Sequence, residues 1–249
     1  MNQSERNEYN KTSYGDYRTI ERDDGLPMDQ ATGARIFVNR VYNWMFCGLM
    51  LTAIAAWGAT MNESAFRAVF RLFTPLAIAE IVLVIIISSM IRSMSATTAG
   101  VMFVAYSILN GLTLSPILLA YTQASIFLAF GSCALMFAVT STFGYMTGMR
   151  LDTVGSFCFM GLIGIIIASI VNFFLHSQVL DYILSYAGIA IFVGLTAWDT
   201  QKVRMIGEEA GEEAQSDNMR KVAIIFALSL YLDFINIFLY MLRIFGRRR

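Results

Sequence analysis

A chain of 249 residues that is 57% hydrophobic and 14% charged is not a water-soluble globule. Soluble domains carry about 25% charged residues. Zero net charge leaves no basic face for nucleic acid. Only nine charged residues lie between Val41 and Thr200, too few to clothe that length in water. The composition describes an all-α, polytopic membrane protein.

Residues 1–34 read as a disordered polar tail, and residues 35–249 as a single seven-helix membrane domain. Up to Arg40 the chain holds six basic and seven acidic residues and lacks the apolar core of a signal peptide. Crossing a bilayer takes about 20 apolar residues. Seven such runs are found, at 38–60, 73–91, 97–121, 124–147, 154–176, 179–200 and 221–245. Ile81-Val-Leu-Val-Ile-Ile-Ile87 lacks the alternation of a barrel strand, so the spans are helices. Pro116 should kink the third span, with Asn110, Thr113 and Ser115 available to satisfy the carbonyl it frees. A tight turn, Tyr121–Ala124, follows it. Gly144-Tyr-Met-Thr-Gly148 and Gly161-Leu-Ile-Gly164 suit close helix contact. Cys47, Cys133 and Cys158 sit in apolar runs without metal spacing, and His176 is the single histidine. Residues 201–220 read as a hydrophilic loop. Its acidic run, Gly207-Glu-Glu-Ala-Gly-Glu-Glu-Ala214, is a solvated turn whose potential could concentrate cations at a pore mouth.

Lys and Arg near the membrane set orientation. With seven spans, Arg35, Arg40, Arg92, Arg150, Lys202, Arg204, Arg220 and Lys221 share the side of the N-terminus. Arg67, Arg71, Arg243 and Arg247 to Arg249 face the other side. Eight against six favours a cytoplasmic N-terminus. A cytoplasmic C-terminus would instead require one re-entrant run.

Charge inside hydrocarbon is costly, which makes each instance a functional candidate. Glu80 lies roughly 10 Å into the second span and Asp233 roughly 18 Å into the last, at 1.5 Å per residue. Asp199 ends the sixth span, one turn after Thr196, and Arg92 ends the second on the same side. Ser229, Asp233, Asn236, Tyr240 and Arg243 step by four and three residues, so they share one helix face. Antiparallel sixth and seventh spans could bring Asp199 and Asp233 together. Two carboxylates in contact cannot both ionise cheaply, so one shared proton is expected. Ionised, they are ligands of the kind Ca²⁺ takes. Three readings stay open at this point: a static network with Asn236 and Tyr240, ion or proton handling, and catalysis.

Tyr231-Leu-Asp-Phe-Ile-Asn-Ile-Phe238, followed by Leu242-Arg-Ile-Phe-Gly246, resembles the C-terminal signature of the Bax inhibitor-1 family. Gly194-Leu-Thr-Ala-Trp-Asp-Thr-Gln-Lys202 resembles its sixth-helix motif, with Trp198 where tyrosine is commoner. Gly111-Leu-Thr-Leu-Ser-Pro-Ile117 resembles its third-helix motif. The resemblance runs from about Arg35 to the C-terminus and looks most like the bacterial branch, which implies an inner membrane. It also implies a seven-helix bundle whose last helix is central, surrounded by the other six. The implied activity is a pH-sensitive calcium leak, with Asp199 and Asp233 as sensor and candidate Ca²⁺ ligands. Glu80 matches the family's second-helix acid. The family's gating arginine falls at position 91, which is Ile here, leaving Arg92 as the nearby basic residue.

The expectation is thus a non-enzymatic membrane protein without a resident cofactor, acting on Ca²⁺ or H⁺. One alternative is a non-conducting partner of another membrane protein. The other is an intramembrane aspartyl protease, against which Asp233 stands in Tyr-Leu-Asp-Phe instead of Gly-x-Gly-Asp.

Overall fold

The computed structural model describes residues 30–90 and 93–247. Seven of its helices are long and apolar enough to cross a membrane, one for each apolar run. The elements are α1 (Gln30–Met61), α2 (Glu63–Arg71), α3 (Phe73–Met90), α4 (Ala96–Ala120), α5 (Gln123–Met146), α6 (Asp152–Leu175), α7 (Gln178–Ala210), a 3₁₀ turn (Gly211–Gln215) and α8 (Asp217–Phe245). The polar tail expected over 1–34 lies outside the described residues up to position 29; from Gln30 the chain is helical.

Local chemistry accounts for where these helices begin. Ser95, Thr122, Ser177 and Ser216 each accept a hydrogen bond from a backbone N–H of the first turn that follows. α2 was not foreseen. It is a short external helix capped by Asn62, whose Oδ1 accepts from the amides of Ser64 and Ala65. α4 continues through Pro116 because the Ser115 hydroxyl donates to the Leu112 carbonyl at 2.7 Å. That carbonyl is the one a proline at position 116 leaves without its i+4 donor.

The stretch expected as a loop at 201–220 is mostly helix. α7 runs on to Ala210, a 3₁₀ turn follows, and α8 begins at Asp217. The acidic run is therefore no free turn. It packs on the start of α1, where Arg40 Nη1 donates to the Ala214 carbonyl at 2.8 Å. A Cβ on Gly33 would stand 2.8 Å from the Gly207 carbonyl oxygen and from Gly211 Cα. Gly211 itself turns the chain with φ 46°, a conformation only glycine adopts cheaply.

α8 is the core of the bundle: 61% of its apolar window is buried, against 6% for α3 and 17% for α6. It packs against α1, α4, α5 and α7. The expected ring of six is thus reduced to four. α3 lies outside, on α4, and α6 rests chiefly on α7. Outward-facing residues such as Phe127, Phe157 and Phe173 stay exposed, as lipid-facing side chains do. The glycine patterns are only half used. Gly144 abuts the Ala197 backbone and Gly161 abuts Ile191, whereas Gly148 and Gly164 face open space. At the far end, the Arg247 carbonyl accepts from the Thr122 amide and the Arg247 amide donates to Ser125 Oγ. Arg247 therefore lies beside the α4–α5 turn, opposite the α1 start, and each of the seven apolar runs forms one continuous helix.

A carboxylate pair at the wall of a lateral cavity

α6 and α7 run antiparallel, with Gly155 against Trp198 and Gly161 against Ile191. Along this seam and the facing side of α8 lies a cavity of about 980 Å³. The polar face expected on α8 lines it: Ser229, Asp233, Asn236 and Tyr240. Asp199 and Lys202 of α7 complete its polar wall, and Leu162, Ile165 and Phe173 belong to its apolar wall on α6. Asp199 and Asp233 are both buried and both line this cavity. Two adjacent spans thus deliver both acids to one cavity.

Each acid has a different partner. Lys202 Nζ stands 2.9 Å from Asp199 Oδ1 and 3.4 Å from the centroid of the Trp198 ring. Among the described residues, Asp233 accepts a hydroxyl, Thr196 Oγ1 at 3.3 Å. Asn236 spends its amide nitrogen on the Leu232 carbonyl of its own helix, and Tyr240 tilts against Phe192. Neither ties down an aspartate, which removes the partners that the static-network reading relied on. Arg92, the basic residue at the end of the second span, lies outside the described residues. Lys202 was visible in the sixth-span motif, and its three-residue step from Asp199 was the signal that could have found it.

The neighbouring residues of α7 brace this end of the cavity. Gln201 accepts from the Leu151 amide and donates to the Met149 carbonyl, clamping the α5–α6 turn. Trp198 Nε1 donates to Asp152 Oδ1 at 3.3 Å. At the opposite end, Asn172 accepts from the Ser177 amide and donates to Asp181, holding the α6–α7 turn.

Glu80 joins neither aspartate. Its carboxylate takes Asn110 Nδ2 at 3.3 Å and Thr113 Oγ1 at 2.5 Å. Asn110 Oδ1 accepts from Tyr231 Oη at 3.0 Å, and Tyr231 Oη lies 2.6 Å from Thr52 Oγ1. Tyr231 is fully buried and stands two residues before Asp233. α8 therefore carries polar groups on two faces: Asp233 toward α6 and α7, Tyr231 toward α1 and α4. Sequence reasoning quoted Tyr231 only inside a motif, since its ring reads as ordinary core.

Among the described residues, no three His, Cys, Asp or Glu side chains converge as a metal cage would require. Two carboxylates fall short of the six to eight oxygens that hold Ca²⁺ tightly.

A family model described as an inhibitor of apoptosis-promoting Bax1 matches residues 34–249. The inner membrane protein YbhL of Escherichia coli is 46% identical over 231 residues, covering 92% of this chain and 98% of that protein. An uncharacterized protein of Borreliella burgdorferi is 39% identical over 216 residues, 86% of this chain and 92% of the relative. The uncharacterized protein RP147 of Rickettsia prowazekii is 40% identical over 224 residues, 87% and 92% respectively.

Proposed function

The chain belongs to the Bax inhibitor family, and we propose that it is a non-enzymatic, pH-sensitive cation leak gated by Asp199 and Asp233. An inner-membrane location follows from the E. coli relative's name, and Ca²⁺ is the permeant ion this reading favours. One observation carries it: two acids from adjacent spans face a single cavity, and among the described residues Lys202 pairs with one of them. Gaining or losing one shared proton changes the charge of that wall by a full unit. In a low-dielectric setting such a change is enough to alter helix packing and the passage of a cation.

The reading is tested by Ca²⁺ flux into proteoliposomes, measured from about pH 6 to about pH 8 where a buried carboxylate pair can titrate. Wild type is expected to show a flux that changes across this range. The Asp199→Asn/Asp233→Asn protein should conduct without that pH dependence, or not at all. A pH-dependent flux in the double variant would overturn the gate. No flux from folded wild type at any pH would overturn the leak and favour a non-conducting membrane partner.

A further inference from the structure

The cavity is much larger than a bare ion needs. Its 980 Å³ falls at the upper end of small-molecule sites, which span about 300–1,000 Å³. Its mouth lies on the lipid-covered surface. Phe159, Ile166, Ile170 and Phe173 line the cavity, yet they are 55%, 52%, 58% and 72% exposed on the outside of α6. Because α6 rests chiefly on α7, its flank toward α8 is open. The apolar wall from Phe159 to Phe173 is about 21 Å long at 1.5 Å per residue. Its Phe159 end lies near the acids, since α6 and α7 are antiparallel.

Lys202 brings one ammonium, already placed on Asp199, so a proton shared between the two acids leaves this wall balanced and its loss leaves one negative charge without a partner. Among the described residues, Asp233 has a hydroxyl partner, Thr196. Buried charge calls for a counter-ion. Asn236, whose nitrogen is engaged by Leu232, has its carbonyl oxygen left as an acceptor. An ammonium carries three donors and no acceptor, which matches such a wall. Lys202 shows the fit directly, as an alkylammonium held between a carboxylate and the Trp198 ring.

We propose that this cavity binds lipophilic amines that enter sideways from the bilayer, with the ammonium on Asp233 and the chain along α6. The proposal rests on reading Asp199 and Asp233 as the cation-handling pair, and it names an organic cation class for their site. A bound amine would occupy the wall facing both acids and block a metal ion from it.

Trp198 in the cavity provides a readout independent of flux. Full-length protein carrying Trp44→Phe and Trp57→Phe, in phosphatidylcholine nanodiscs, leaves Trp198 as the fluorophore. N-(4-Bromobenzyl)dodecylammonium, which carries its bromine next to the ammonium and so next to Trp198, is expected to quench it saturably, and the uncharged 4-bromobenzyl dodecyl ether only as far as its partition into lipid allows. Asp233→Asn should weaken amine binding about tenfold or more, the scale for removing one partner of a buried charge pair. Lys202→Met should strengthen it severalfold by removing the competing ammonium, which a protein damaged by mutation would not do. Equal quenching by amine and ether would overturn the proposal and mark the cavity as a lipid-filled groove. A Lys202→Met protein that binds the amine no more tightly would overturn it as well. Amine binding without Ca²⁺ flux would sink the leak and leave the amine site standing; gated flux without saturable quenching would do the reverse.

Discussion

Tyr231 carries a hydroxyl that ties α8 to two other spans. It donates to Asn110 on α4 and meets Thr52 on α1, and through Asn110 it reaches Glu80 on α3. Tyr231→Phe keeps the ring, and with it the edge contacts to Phe103 and Tyr106. It removes only the hydroxyl, so Asn110 Oδ1 loses its donor. Interhelical hydrogen bonds in membranes are modest, and the expected loss is about 1–2 kcal/mol. Thermal unfolding in detergent should show a lowered midpoint, while pH-dependent flux persists because Asp199 and Asp233 lie on another face. Loss of the pH dependence together with unchanged stability would reassign Tyr231 to the gate. At this scale the four- and three-residue steps on the last span were enough to find Asp233, Asn236 and Tyr240, because helix periodicity is a local property. Tyr231 escaped because a tyrosine among Leu and Phe gives no hint that its hydroxyl is shared.

Helix pairing turns on where small residues meet a neighbour's backbone. A Cβ at Gly144 would collide with the carbonyl of Ala197, a contact between backbones that only separation of α5 and α7 relieves. Gly144→Ala is expected to cost about 1–3 kcal/mol, as overpacking does. Gly131→Ala on the same helix faces open space and should be neutral or stabilising. Equal unfolding midpoints for the two variants would argue against the α5–α7 contact. The spacing Gly144-x-x-x-Gly148 marked a plausible contact, yet one glycine of the pair is unused, because α5 ends at Met146 and Gly148 lies beyond it. Likewise, the hydrophilic character of 201–220 was plain, but its helical form depends on the start of α1 packing against Gly207 and Gly211. Hydrophilicity alone does not distinguish a solvated loop from a helix that projects beyond the membrane.

An odd number of complete spans puts the two ends of the whole molecule on opposite sides. The start of α1 clasps the end of α7, and Arg247 sits at the α4–α5 turn. With the N-terminus cytoplasmic, an alkaline phosphatase domain fused after Arg249 should be active, since its disulfides form only outside the cytoplasm. An inactive phosphatase there, together with a fluorescent C-terminal green protein fusion, would reverse the orientation. Span number, helical type, the three acids within the spans and the polar stripe of α8 were all legible in the chain, because each follows from hydropathy or periodicity within a single segment. Tertiary structure alone decided that Asp199 and Asp233 face one cavity, that Glu80 belongs to Tyr231's network, and that α6 leaves a flank open. The reason is physical. In a bilayer, lipid tails are as apolar as the helices, so the hydrophobic effect does not choose which spans meet. That choice falls to a few backbone contacts and shared hydrogen bonds between residues far apart in the chain.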